Sequence, residues 1–254
     1  MRNIVNILGV PFNRVTMKET LNIIENEINK EREKPYHIIT GNPEIVVHSR
    51  KEKILSDIIS DTDLITPDGI GIIMASRWKK DVLPERVAGC DLLMEALKVG
   101  NKKGWSFYFF GADEETNEKA VNVIKKQYPN VIVSGRHNGY FDENEEEKII
   151  LEIEKTKPDI LIVALGAPRA EKWIYTNKSK LNTKVTFGVG GSLDVIAGKV
   201  KRAPLIWQKL NIEWLHRLLS QPSRWRRQLV LPVFAWKAFG EAVRENTFNK
   251  KKSS

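Results

Sequence analysis

In Ile65-Thr66-Pro67-Asp68-Gly69-Ile70-Gly71, the Asp68 carboxylate falls between a strand-like run and a turn bracketed by two glycines. Asp63 to Thr66 reads as a short buried strand, and the Pro67 ring fixes φ where the chain leaves it. Gly69 and Gly71 would let a ligand come close to the backbone. α/β proteins place reactive groups in such turns. The same residues can also make a plain turn in which Asp68 caps a helix starting near Ile70.

Other groups are weighed in the same way. Gly188-Val189-Gly190-Gly191 follows a strand-like run, but the third glycine of a dinucleotide fingerprint would fall at Leu193, and no G-x-x-x-x-G-K-[ST] occurs. Nicotinamide, flavin and P-loop sites are thereby set aside, although such a turn can still offer N–H groups to phosphate. Asp61-Thr62-Asp63 has the D-x-D form that holds a divalent metal in many sugar-nucleotide enzymes. It precedes the Leu64–Thr66 strand, at the end opposite Asp68, which favours a helix-end or turn role. Arg86 suits a phosphate or a solvated loop equally. Cys90, with no neighbouring His or Lys run, reads as an inert half-buried thiol, and His37 and His48 as structural. Arg224 and Arg227 lie three apart on one helix face and Arg217 just across a break at Pro222, so the three could converge on one anion. A solvated basic face is the alternative.

These groups need elements to position them. Asn3 to Val10 reads as a strand, and Thr16-Met17-Lys18-Glu19 as a capping box opening a helix. Tyr36 to Thr40 is a strand running into Gly41-Asn42-Pro43, where Asn42 caps and Pro43 starts a helix. Ile70 to Lys79 reads as helical, then Arg86 to Asp91 as a loop feeding a helix over Leu92 to Lys98. From Trp105 strands and helices alternate: strands Trp105–Phe110, Val131–Ser134, Ile160–Leu165 and Lys184–Val189, with helices Glu114–Gln127, Asn144–Lys155 and Ala170–Asn177. That rhythm predicts an α/β fold, a Rossmann-like parallel sheet flanked by helices, with ligands at the carboxyl ends of the strands. After residue 198 the rhythm stops. Leu205–Leu219 and Ser223–Glu245 read as helices parted at Gln221-Pro222, with a kink at Pro232. The expected division is a core over 1–198 and a helical, membrane-associating appendage over 199–254.

Charge follows that division. Of 41 Lys and Arg against 32 Asp and Glu, the last 60 residues hold 13 and 3, so a nearly neutral body carries a strongly basic tail. Four of the seven tryptophans, Trp207, Trp214, Trp225 and Trp236, share it. Basic charge mixed with Trp and Leu suits anionic headgroups or phosphates. A nucleic-acid-binding module would also be basic, but no base-reading motif is present. One cysteine, no secretory h-region and no spanning apolar run point to a cytoplasmic protein that can lie on a membrane.

Taken together, the ordered motifs resemble the WecG/TagA/CpsF family of bacterial glycosyltransferases. The likeness covers nearly the whole chain: Thr40-Gly41-Asn42, Thr66-Pro67-Asp68-Gly69, Arg86-Val87-Ala88-Gly89 with Asp91, Gly139-Tyr140-Phe141, Leu165-Gly166-Ala167-Pro168-Arg169, Gly190 to Asp194, Lys201-Arg202-Ala203-Pro204, Glu213-Trp214-Leu215 and Pro222-Ser223-Arg224. The resemblance implies transfer of N-acetylmannosamine from its UDP donor to GlcNAc-diphospho-undecaprenol in wall teichoic acid linkage-unit synthesis. The β-1,4 linkage forms by inversion, with no cofactor and no tightly held metal. A UDP-glucose or UDP-ManNAc uronic acid donor is the near alternative within the family.

By the same matching, Asp68 is the general base, which takes the acceptor proton as its oxygen attacks C1. Thr40 and Asn42 line the donor and acceptor pocket, with Thr40 among the catalytic groups. Arg86 stabilises the leaving diphosphate. Asp194 and the Gly139, Tyr140 and Phe141 loop contact the nucleoside, and Arg217, Arg224 and Arg227 bring the tail over the site. The inner face of the cell membrane is the implied location, and a homo-oligomer is possible if the tail leaves the body. Where the family writes G-x-P-K/R-Q-E, this chain has Gly166-Ala167-Pro168-Arg169-Ala170-Glu171, so Ala170 replaces a polar amide.

Overall fold

The computed structural model describes residues 3–204, 206–207, 212–220 and 225–252. Six parallel strands make the sheet: β3 (Tyr36–Gly41), β4 (Leu64–Pro67), β5 (Ser106–Gly111), β6 (Ile132–His137), β7 (Ile160–Ala164) and β8 (Val185–Gly188), in the order β4-β3-β8-β7-β5-β6. The expected α/β architecture is therefore observed. β1 (Ile4–Ile7) and β2 (Val10–Asn13) form a separate antiparallel hairpin. This corrects the single strand expected over Asn3–Val10: Leu8 and Gly9 take φ of 52° and 95°, reversing the chain. The hairpin is tied to the sheet by Asn13, whose Oδ1 accepts from the Ile65 N–H at 2.8 Å.

Alternate strand residues face opposite helical layers. Ile38, Leu64, Phe107, Phe109, Ile162 and Phe187 pack against α1 (Met17–Ile28), α5 (Gly89–Lys103), α6 (Glu114–Gln127) and α9 (Ser192–Ile196). On the other face Ile39 and Ile65 meet the hairpin, α2 (Pro43–Ser49), α3 (Lys53–Asp61) and α4 (Ile70–Trp78). Beside them Tyr108, Phe110, Leu161 and Val163 meet α7 (Glu143–Thr156) and α8 (Arg169–Asn177). Thr16 caps α1 in a full capping box with Glu19, and Asn42 Oδ1 caps α2 by accepting from the Ile45 N–H at 3.0 Å.

Two differences bear on the site. α5 begins at Gly89, so Gly89, Cys90 and Asp91 form its first turn and not the end of a loop. The N-cap position of α4 falls on Gly69, φ 92°, one residue past Asp68, so Asp68 is not that cap.

In the tail, α10 (Glu213–Ser220), α11 (Trp225–Gln228) and α12 (Val230–Lys252) are described, while the expected break at Gln221-Pro222 lies outside the described residues. The interruption before α12 is at Leu229 and not at Pro232. Pro232 sits in the first turn of α12, where its missing N–H has no carbonyl to meet. Phe234 and Ala238 of α12 are buried in the same cluster as Ile45, Val46, Ile72 and Ile73. Lys79 Nζ fixes that contact by donating to Glu241 at 3.1 Å and Glu245 at 2.9 Å. Glu241 also accepts from the Leu8 N–H at 3.0 Å.

Candidate functional site at the carboxyl end of the sheet

β3 and β8 are hydrogen-bonded neighbours, yet β3 leads into α2 on one face and β8 leads into α9 on the other. Diverging connections open a crevice at the carboxyl ends of such a strand pair. The first turn of α5 reaches this place: a Cβ on Gly89 would stand 2.9 Å from Thr40 Oγ1 and 3.4 Å from the Gly188 carbonyl. Only glycine lets the helix sit so close to the Thr40 hydroxyl.

Asp68 lies beside Thr40 through strand register, Thr40 pairing with Thr66 and Gly41 with Pro67. The Asp68 N–H donates to the Gly41 carbonyl at 2.8 Å, which binds the two loops together. Arg86 is brought in by the loop along β4. The Val87 N–H donates to the Pro67 carbonyl at 2.8 Å, and Thr66 Oγ1 donates to the Val87 carbonyl at 3.1 Å. Thr40, Asn42, Asp68 and Arg86, separate in sequence, thus occupy the adjoining ends of β3 and β4.

Arg86 does not stand alone. Its guanidinium donates to Asp91 at 3.1 Å, and Arg202 pairs with the other Asp91 oxygen. Glu213 at the start of α10 faces both, 3.6 Å from Arg86 and 3.9 Å from Arg202. Arg202 and Glu213 entered the sequence reading only as motif members. No local spacing could reveal their meeting, because Arg202 and Asp91 lie 111 residues apart.

The remaining expected residues lie further along the same edge. Asp194 is half-buried in α9, and its carbonyl accepts from the Lys199 and Val200 N–H groups at 2.9 and 3.1 Å. Lys199 then pairs with Asp113, which also caps α6; together these donors pull the Asp113 carboxyl down to about 2. The Gly139 N–H donates to the Ala112 carbonyl at 2.7 Å. Tyr140 is 74% exposed, and Phe141 packs on Phe110 with the Arg169 guanidinium 5.2 Å from its ring centroid. Asp194 is on the helix that follows β8, the neighbour of β3, and Gly139 lies against Leu165 and Gly111 at the ends of β7 and β5, two and three strands from β3. Arg217 and Arg227 belong to α10 and α11, but their side chains, like all of Arg224, lie outside the described residues.

The D-x-D carboxylates are engaged at the opposite end of the sheet. Lys178 donates to Asp61 at 2.8 Å and to Asp63 at 3.4 Å, and Asp63 also accepts from the His37 N–H at 2.9 Å. His37 itself is fully buried, and burial with the nearby Lys178 charge pushes its ring down to about 3, so it is neutral.

Glu171 entered the sequence reading only as the last residue of a motif, with no role of its own. It lies in the first turn of α8, and its Oε1 would be 2.9 Å from a Cβ on Gly188, while Ala170 fills the neighbouring space at 3.2 Å. The signal was its place on the apolar face of α8, three residues before Ile174. Burial pushes its carboxyl up to about 7, with the Glu44 charge adding to the effect. A value raised in the fold means the neutral acid is the form the fold accepts. Its stability contribution is therefore full below the ordinary value of 4.5 and is lost as pH rises through about 7. The loss is up to about 3 kcal/mol at alkaline pH. Glu171→Gln should melt with the parent chain at pH 4 and about 6–12 °C above it at pH 8, measured by calorimetry across pH.

The chain resembles three Staphylococcus aureus proteins, each named N-acetylglucosaminyldiphosphoundecaprenol N-acetyl-beta-D-mannosaminyltransferase. The protein of strain MRSA252 is 37% identical over 233 residues, covering 92% of this chain and 91% of that one. Those of strains MW2 and NCTC 8325 / PS 47 are each 36% identical with the same coverage. The model of the glycosyl transferase WecG/TagA/CpsF family matches residues 5–248.

The chain belongs to the WecG/TagA/CpsF glycosyl transferase family.

That family match runs from the hairpin through most of α12, so it includes the tail as well as the sheet. Among the described residues, no helix is long and apolar enough to cross a membrane.

Proposed function

We propose that this glycosyltransferase moves N-acetylmannosamine from UDP-ManNAc to GlcNAc-diphospho-undecaprenol, with inversion at C1, in wall teichoic acid linkage-unit synthesis. The observation that carries the reading is the meeting of Asp68, Thr40 and Arg86 at one crevice edge in a chain of this family. Asp68 takes the proton of the acceptor hydroxyl as that oxygen attacks C1 from the side opposite the diphosphate. Arg86 answers the charge that grows on the departing diphosphate. Thr40 offers its hydroxyl beneath the α5 N-terminus. The Asn42 carbonyl oxygen is spent on its helix cap, so its amide N–H₂ is the group for substrate. Asp194 and the exposed Tyr140 ring receive the nucleoside, and Arg217, Arg224 and Arg227 come over the diphosphate from the tail.

The relatives' names support both the acceptor and the mannosaminyl group. Transfer of labelled N-acetylmannosamine to a short-chain GlcNAc-diphosphate lipid tests the reading directly, with UDP-glucose and UDP-ManNAc uronic acid as competing donors. Preference for either competitor would replace the donor assignment.

A lipid-linked acceptor places the enzyme at the inner face of the cell membrane. In support, the tail exposes Trp225, Leu229, Val233, Trp236 (78% exposed), Phe239 and Val243. These rings and branched chains suit the headgroup boundary. Trp236→Glu should lower flotation with anionic liposomes by about tenfold, since both apolar area and charge move the wrong way. Unchanged flotation would remove this stretch from the membrane contact.

A further inference from the structure

Four charged side chains from separate stretches of chain meet beside Thr40. Arg86 precedes α5, Asp91 is in its first turn, Arg202 follows α9, and Glu213 opens α10. Asp91 gives one oxygen to each guanidinium: Oδ2 accepts from Arg86 Nη2 at 3.1 Å, and Oδ1 accepts from Arg202 Nη2. Glu213 repeats the pattern from the tail side, Oε2 lying 3.6 Å from Arg86 Nη1 and Oε1 3.9 Å from Arg202 Nε. Two guanidiniums therefore alternate with two carboxylates around one small ring of charge.

Burial gives the members different parts. Arg86 and Arg202 are 23% and 25% exposed, whereas Glu213 is 12% exposed. An incoming anion can reach the arginines while Glu213 stays behind them. Each guanidinium has five N–H donors in a plane, so a pair of carboxylates does not exhaust them. Two like charges this close would push apart without the acids between them. Asp91, at hydrogen-bond distance, anchors the pair on the core; Glu213, at longer range, sets its alignment from the tail.

We propose that Arg202 is a second cation of the leaving-diphosphate subsite and that Glu213 is the positioning residue that holds Arg202 and Arg86 as a pair. The inference rests on the assignment of Arg86 to the diphosphate. A diphosphate leaves with more than one charge, and two guanidiniums held side by side answer it over both phosphates, as one cannot. The tail helix thereby completes the subsite through a carboxylate, in addition to any cation it brings.

Calorimetry of UDP binding to the full chain provides the test. Arg202→Gln and Glu213→Gln are each expected to weaken UDP by about tenfold, with Glu213→Asp regaining part of the loss. In the Arg202→Gln background, Glu213→Gln should add less than about threefold, because the two act through one pair. Glu241→Gln, which loosens the tail at Lys79 and not at this cluster, should bind UDP as the parent does. The proposal is overturned if Arg202→Gln binds UDP like the parent, if the two losses simply multiply, or if Glu241→Gln reproduces the Glu213 effect. A parent chain that binds UDP yet transfers no N-acetylmannosamine would overturn the proposed activity, while the binding cycle would still decide the arginine pair.

Discussion

Asp68→Asn should lower turnover by about 10²–10⁴-fold while leaving UDP affinity within about threefold, because the substitution removes the proton acceptor. The amide keeps the size of the carboxylate, and the tie that shapes the turn is the backbone hydrogen bond from Asp68 to Gly41, which asparagine retains. Loss should therefore fall on kcat and not on donor KM. The measurement is best made both in the parent and in Ala170→Gln. The resemblance implies a glutamine at that position, and Ala170 is buried beside Trp173 and Ile174, so Ala170→Gln changes the packing behind the site as well as its polarity. If Asp68→Asn turns over at the rate of its own background in either chain, the base is another residue.

Arg86→Ala is expected to cost about 10²–10³-fold in kcat, the usual price of removing one group aimed at developing charge. Arg86→Lys should recover only part, since an ammonium cannot span Asp91 and a phosphate oxygen in the plane that a guanidinium does. A loss expressed wholly as a higher donor KM would show that Arg86 binds ground state and transition state alike, and would remove it from the chemical step.

Much of the frame could be read from sequence because local rules agreed with the fold. α6 runs from Glu114 to Gln127 as its Asp113 cap and terminal lysines indicate. β3 ends in an Asn-Pro helix start as its residues require. The hairpin was hidden because Leu8-Gly9 turns the chain without an Asn-Gly or Asp-Gly pair, so that two strands look like one. The start of α5 was hidden for a tertiary reason: Gly89-Cys90-Asp91 resembles loop, and Gly89 is there for the sake of Thr40, which no local pattern records. Glu171 was hidden by its type, since a glutamate in a first helical turn ordinarily faces water. The site was legible in part. Asp68, Thr40 and Arg86 follow from the strand-end rule and the family motifs. Their union with Arg202 and Glu213 requires the fold, because it joins loops on both sides of α9.

The burial of Phe234 and Ala238 against Ile45 and Ile72 also matters during synthesis. α12 is made after the helices it covers, α2 and α4, which follow Asn42 and Asp68 some 160 to 190 residues earlier. A domain folds as a unit, so this apolar face waits uncovered until α12 has emerged. Until then the nascent chain offers that face to chaperones and to other chains, and the turn that carries Asp68 lacks the packing of Phe234 behind Gly71.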